Sequence, residues 1–445
     1  MSDNHSKIRF IGYAIPTTPA SMVAIGDPNG PGAVAGTYLG SKDLAADIAA
    51  RVAVLKNAVE VARAQLQGAP NDASITNVFV APEFYFHGEQ GPYVYADDVD
   101  DPAPMILAAL ATAFPASDYP NWTFVCGSAI SAQIRNIDHV YAENSTIVRN
   151  AVVEALSKQW LAAFGPLNGV IFDMLVNFIK NCHSYPNMEV RNRALVVSNI
   201  PVSTYDGAST DRMTTEKYFV SNEDFILYDV TGRRDVVTEQ MTAYPLIDLS
   251  GGDLKRSPFD QYAVFRQDYG TANFPNYMDF AIEICLDHSD VRLRRNIESE
   301  PWPLPTDAIH IHLIPSCGMQ ISQSSVAADK DGFVFNCDGQ YALDKSDGTP
   351  QQGTLNSVDC VYVNHNQPPG NTGYAAHTQL ARVSVAATGN DPKAKTSTPP
   401  QFHKLEATDI VVADVTAIPE LPTHFAGGPG QIHIYGRDTP FTLYP

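Results

Sequence analysis

The period of the apolar positions changes repeatedly along this chain. Strand-length runs that are continuously apolar, or apolar at every second residue, begin at Lys7 (KIRFIGYAIP), Asn77 (NVFVAPEF), Trp122 (WTFVCGSAIS), Arg193 (RALVVSNIPVS) and Tyr277 (YMDFAIEICLDHS). Such runs predict strands buried in a sheet. Between the first two, Leu44, Ile48, Val52, Leu55, Val59, Ala62 and Leu66 recur every three or four residues. That spacing predicts a helix with one apolar stripe, with Ser41 as its N-cap and Gly68 as its stop. A further helix is expected from about Pro104 to Phe114. Strands alternating with helices place the chain in the α/β class.

The middle of the chain reads differently. From Gln133 to Val190 the pattern turns helical, with VRNAVVEALSKQWLAAF and LNGVIFDMLVNFIKNC separated by Gly165-Pro166. This predicts an inserted helical hairpin, a lid or an oligomer contact; Asp173 and Asn177 interrupt its second helix, which is too short to span a bilayer. Strand patterns resume at KYFVSNEDFILYD from Lys217, DAIHIHLIPS, DGFVFNCDG, CVYVNHNQ and LARVSVAAT, and SDVRLRRNIESE from Ser289 reads as a charged helix. The last forty or so residues, with strand signals at IVVADV and IHIYGR, suggest a wrapping tail. The expected organisation is a catalytic domain over 1–340, carrying the insertion at about 133–190, then final strands and a C-terminal extension over 341–445.

Composition narrows the function classes. Of the 445 residues 44% are hydrophobic and 18% charged, which suits a packed globular body. The net charge of −20 opposes a nucleic-acid partner, whose phosphates need clustered Lys and Arg. The N-terminus MSDNHSKIRF has no apolar export segment, and no membrane span is signalled, so a cytoplasmic location is expected. Six cysteines without CxxC spacing suggest free thiols and no metal framework.

Candidate chemistry sits at the ends of strand-like runs, in the order Glu83, Lys217, Cys285. A base, a cation and a thiol are the parts that acyl transfer from an amide requires. The residues stand in the elements A-P-E-F-Y-F, E-K-Y-F-V and I-C-L-D. In order and in flanking hydrophobicity these resemble the motifs of the nitrilase, or carbon–nitrogen hydrolase, superfamily, over Lys7 to Ala132 and Arg191 to Cys337. Three features differ from the family pattern: Tyr218-Phe219-Val220 after the Lys, His288-Ser289-Asp290 after Asp287, and Glu283, which strand alternation would place on the face of Cys285. They imply a divergent member with an unusual substrate.

The resemblance implies a four-layer α-β-β-α sandwich and cofactor-free, metal-free hydrolysis of a small non-peptide amide through a Cys285 thioester, with carbamoyl compounds and nitriles as further substrates. Glu83 would be the base, with Lys217 and the Leu286 N–H holding the oxyanion. A fourth carboxylate is expected at Glu223, with Glu239 as its rival. Tyr85, His87, Tyr218 and His288 are pocket candidates by adjacency. A homo-oligomer is also implied. Two other classes stay open: a metal-dependent hydrolase built on His310 and His312, which alternate onto one strand face, and a non-catalytic protein keeping the fold. Cys317, close in sequence to His312, is a rival thiol nucleophile.

Overall fold

A computed structural model describes residues 7–17, 21–25, 33–66, 72, 74–88, 91–95, 98–136, 186–203, 209–217, 262–269, 277–289, 291–296, 309–339, 342–344, 360–362, 377–388, 398–404 and 410–443. Most of the inserted segment lies outside them, as do Tyr218, Glu223 and Glu239.

Thirteen strands carry the architecture: β1 (Lys7–Ala14), β2 (Ile75–Ala81), β3 (Trp122–Asn136), β4 (Pro186–Ser203), β5 (Ser209–Glu216), β6 (Val264–Asp268), β7 (Tyr277–Ile282), β8 (Ile309–Ser316), β9 (Ala328–Asp338), β10 (His377–Val385), β11 (Gln401–Lys404), β12 (Ile410–Asp414) and β13 (Gln431–Tyr435). They join one mixed sheet in the order β11-β10-β9-β8-β7-β6-β4-β3-β2-β1-β13-β12, with β5 on β4 and two short strands, Tyr93–Tyr95 and Phe441–Thr442, at the sides of β3 and β1. The order contains two similar halves. In one, β1, β2 and β3 run parallel and β4 returns antiparallel; in the other, β7, β8 and β9 run parallel and β10 returns. The halves are joined edge to edge where β4 meets β6, at Val202 to Gln267 and Ser203 to Arg266.

The sheet curls so that the halves face each other across a shared core. Phe10, Val78 and Val80 of the first half pack with Phe280, Leu313, Phe333 and Phe335 of the second, all fully buried. The Phe10 ring centroid lies 5.4 Å from those of both Phe333 and Phe335. At Gly12 the halves approach so closely that a Cβ would come within 2.4 Å of Thr378 Cγ2.

The opposite face of the first half is covered by two helices, α1 (Leu44–Gln65) and α2 (Pro102–Ala113). Leu55 and Val59 of α1 and Ile106 and Leu110 of α2 pack with Phe79 and Phe124. The N-cap of α1 is Asp43, whose side chain accepts the Ala46 N–H at 2.8 Å, in place of the expected Ser41. Asp101 caps α2 by accepting from Ala103, and Pro102, lacking the N–H that would go unused, takes the first helical position. Among the described residues, the outer face of the second half is covered by two short helices, α3 (Leu286–Ser289) and α4 (Arg292–Asn296), and by the 317–327 segment.

The C-terminal stretch departs from the expected wrapping tail. The β13 strand lies beside β1, its Ile432, Ile434 and Tyr435 fully buried, because alternate apolar side chains extend both cores there. None of the described helices is long and apolar enough to cross a membrane.

Candidate active site

Glu83 stands two residues past the end of β2, Lys217 one past β5 and Cys285 three past β7. The carboxyl ends of parallel strands, where the chain leaves the sheet, are where side chains can converge without breaking a ladder. The two halves meet here, where Glu83 N–H donates to Ser316 O at 3.3 Å; within the second half Gly339 N–H donates to the same carbonyl at 2.9 Å and Cys285 N–H donates to Pro315 O at 3.1 Å.

Two sharp turns present the Glu83 carboxylate and the Cys285 thiol. Phe84 has φ 60° and Cys285 φ 47°, the left-handed region that side-chain-bearing residues rarely occupy. The Phe84 N–H donates to Ser128 Oγ at 3.0 Å. Room for the Glu83 turn comes from Gly127 (φ 73°), where a Cβ would fall 2.2 Å from Pro82 O.

Glu83 and Lys217 form an ion pair of 2.8 Å with both side chains fully buried. Asn192 Nδ2 donates to the same oxygen, Oε1, at 2.8 Å, and Asn192 O accepts the Lys217 N–H at 2.8 Å. Asn192 thus fixes both partners, and sequence reasoning missed it because a single polar residue within a strand carries no special signal. The Lys217 ammonium also lies 5.7 Å from the Phe84 ring centroid. Cys285 Sγ donates weakly to Cys317 O at 3.9 Å.

Burial pushes the Cys285 thiol well above its ordinary pKa, the Glu83 carboxylate pushes the same way, and Lys217 pulls it down. All three groups therefore sit within electrostatic reach of one another. The resting sulfur is a thiol, and a nucleophile in this state needs a base to take its proton as it attacks.

A clamp ties two of the elements together. Arg292 Nη1 donates to Asp287 Oδ2 at 2.8 Å and to Glu216 O at 2.7 Å, so the Asp of I-C-L-D is bridged to the residue before Lys217. Asp338, at the end of β9, accepts from the N–H groups of Gly318 and Met319 and from Ser316 Oγ, shaping the turn whose Cys317 carbonyl faces the thiol.

Glu283 does not share a face with Cys285. The left-handed residue at Cys285 breaks the alternation along the strand and turns the thiol to the inner core, while that alternation puts Glu283, like Ala281, on the outer side. There Oε2 accepts from His288 Nδ1 at 2.7 Å and touches His312 Nε2 at 2.9 Å in a poorly aligned contact, while Oε1 accepts the Leu293 N–H at 2.7 Å. His288, expected beside a substrate, is fully buried and spent in this cluster.

Glu283, His288 and His312 are grouped closely enough to suggest a metal site. Their outward neighbours argue otherwise. Ser322 N–H donates to His288 Nε2 at 2.9 Å and Ala327 N–H donates to His312 Nδ1 at 3.2 Å. Each ring therefore carries its proton on the nitrogen facing Glu283, the nitrogen a metal would need bare; a metal-bound imidazole presents its outer N–H to an acceptor. His310 is not in the group: its Nδ1 accepts the Asp279 N–H at 2.9 Å. The same bonds leave His312 unsuited to activating Cys317.

Tyr85 and His87 point to the helix layer. Tyr85 packs with Tyr13 and Phe425 and donates its hydroxyl to Arg51 O at 3.2 Å. His87 Nδ1 lies 2.9 Å from Gly88 O and 3.3 Å from Arg51 Nη2. Arg51 also donates to Tyr85 O and pairs with Asp47, so this buried network holds the segment after Glu83 and lies apart from the thiol.

Comparison with protein-family models, with curated proteins and with solved structures finds no match to this chain.

Proposed function

We propose that the chain is a cofactor-free hydrolase of a small non-peptide amide, with Cys285 as nucleophile, Glu83 as base and Lys217 as oxyanion donor, on an α-β-β-α sandwich of the nitrilase kind. The observation that carries this reading is the buried Glu83–Lys217 pair acting electrostatically on a thiol held at a left-handed turn. A buried ion pair is a weak way to stabilise a fold, since desolvation offsets much of its attraction. A pair beside a nucleophile has a chemical use.

In the proposed reaction Glu83 takes the thiol proton as sulfur attacks the carbonyl carbon. Lys217 and the N–H of Leu286, first residue of α3, stabilise the oxyanion. The tetrahedral species collapses, Glu83 returns the proton to the leaving nitrogen, and ammonia or an amine departs. Water then attacks the thioester, giving up a proton to Glu83, and releases the acid and the thiol.

A panel of small amides, ureas and carbamoyl compounds, read out as released ammonia, tests this. The native chain should turn over at least one of them and Cys285→Ala none. Equal ammonia release from Cys285→Ala would refute the reading.

A further inference from the structure

We propose that Glu283 is a positioning residue that holds Cys285 in its left-handed conformation, acting as a hub between the nucleophile turn and the 317–327 segment opposite the thiol. This rests on Cys285 being the nucleophile of the proposed reaction.

Both carboxylate oxygens take part. Through Oε1 and the Leu293 N–H, and through Oε2 and His288, the carboxylate closes the chain from 283 to 293 around Cys285. The backbone adds the His288 N–H donating to Cys285 O at 2.9 Å. Each imidazole then accepts from the opposing segment, His288 from Ser322 and His312 from Ala327. That segment contains Cys317, whose carbonyl faces Cys285 Sγ. A left-handed backbone at a non-glycine residue persists only where its surroundings over-determine it, and this cluster supplies that constraint.

The cluster is fully buried. Burial works against the Glu283 charge, but the close approach of His312 and the hydrogen bond from His288 outweigh it and hold the carboxyl down at about 2. Titratable groups acting on the carboxylate are His288, His312 and Arg294; those acting on the thiol are Glu83, Lys217 and Asp338.

The test is the rate of Cys285 alkylation by iodoacetamide as a function of pH, with melting curves to establish folding. In Glu283→Gln one oxygen becomes a donor facing donors. The alkylation midpoint should fall toward the ordinary thiol value of about 8.5 as the sulfur leaves its buried position. Displacement of the reacting atom should also lower kcat about a hundredfold with little change in KM. A folded Glu283→Gln with the native alkylation profile would overturn the proposal.

Should Glu283→Gln not fold, a pair of variants at 288 decides. His288→Asn keeps a donor where Nδ1 meets Glu283 and loses the Ser322 contact; His288→Gln keeps an acceptor for Ser322 and loses the Glu283 contact. A lowered alkylation midpoint in both supports the hub, and native profiles in both overturn it. The alkylation readings need no amide turnover, so failure of the hydrolase assignment and failure of this one are separable.

Discussion

At the scale of single residues, the state of Cys285 follows from three neighbours with opposed effects. Burial and Glu83 raise its pKa and Lys217 lowers it. A thiol above its ordinary value remains protonated through neutral pH, so its alkylation should accelerate only above the ordinary thiol range. The signs predict more: Glu83→Gln removes a raising charge and should move the alkylation midpoint down, whereas Lys217→Ala removes a lowering charge and should move it up. Opposite shifts would contradict the electrostatics. In turnover, Lys217→Ala removes the proposed oxyanion donor and should cut kcat about a hundredfold or more. It also leaves a buried carboxylate without its cation, at a cost of about 3 to 5 kcal/mol, so melting and activity should be measured on the same preparation.

At the scale of elements, the turns after β2 and β7 matter more than the strands that precede them. Gly127 is the clearest lever. Its φ of 73° and the 2.2 Å approach of Pro82 O leave no room for a methyl group. Gly127→Ala should lose about 1 to 2 kcal/mol from the backbone alone, and more from displacement of the Glu83 turn. The expected result is a lower denaturation midpoint together with lower turnover; an unchanged midpoint would mean that the turn tolerates the methyl.

The elements also separate what sequence can reveal from what it cannot. The runs at Lys7, Asn77, Trp122 and Tyr277 were legible as strands because their side chains are buried on both faces and so are continuously apolar. The β5 strand, STDRMTTE, was not, since its residues are mostly polar, with Met213 and Thr215 buried. Glu83, Lys217 and Cys285 were singled out from residue type and order and are brought together by the fold, but Asn192, Arg292 and Asp338 owe their places to tertiary contacts that no local pattern announces. The shared face expected of Glu283 and Cys285 failed for a local reason: strand alternation was carried past Ile282 to Cys285, whose turn breaks it.

At the scale of the whole molecule, several buried groups couple stability to pH with one sign. Glu283 is held at about 2, and His433, in the core beside Thr378, is lowered by burial and by His377 to about 3. His288 is lowered too. In each case the unfolded chain takes up a proton at a pH where the folded chain does not. Stability should therefore be highest above the ordinary histidine value of about 6.5 and fall as pH drops, first through the histidines and then, below about 4.3, through Glu283. Urea midpoints between pH 7.5 and 4 should decline accordingly, and His433→Gln should flatten the upper part of that slope. The curled sheet brings its two halves together at the strand ends, so a chain that loses packing in acid should lose the site with it.

The most direct measurement of the central claim is the identity of the atom that becomes acylated. Native protein mixed with a turned-over amide and quenched in acid should carry the acyl group on Cys285, located by peptide mass mapping, with ammonia released in proportion. Acylation of Cys317, or ammonia release that persists in Cys285→Ala, would contradict it.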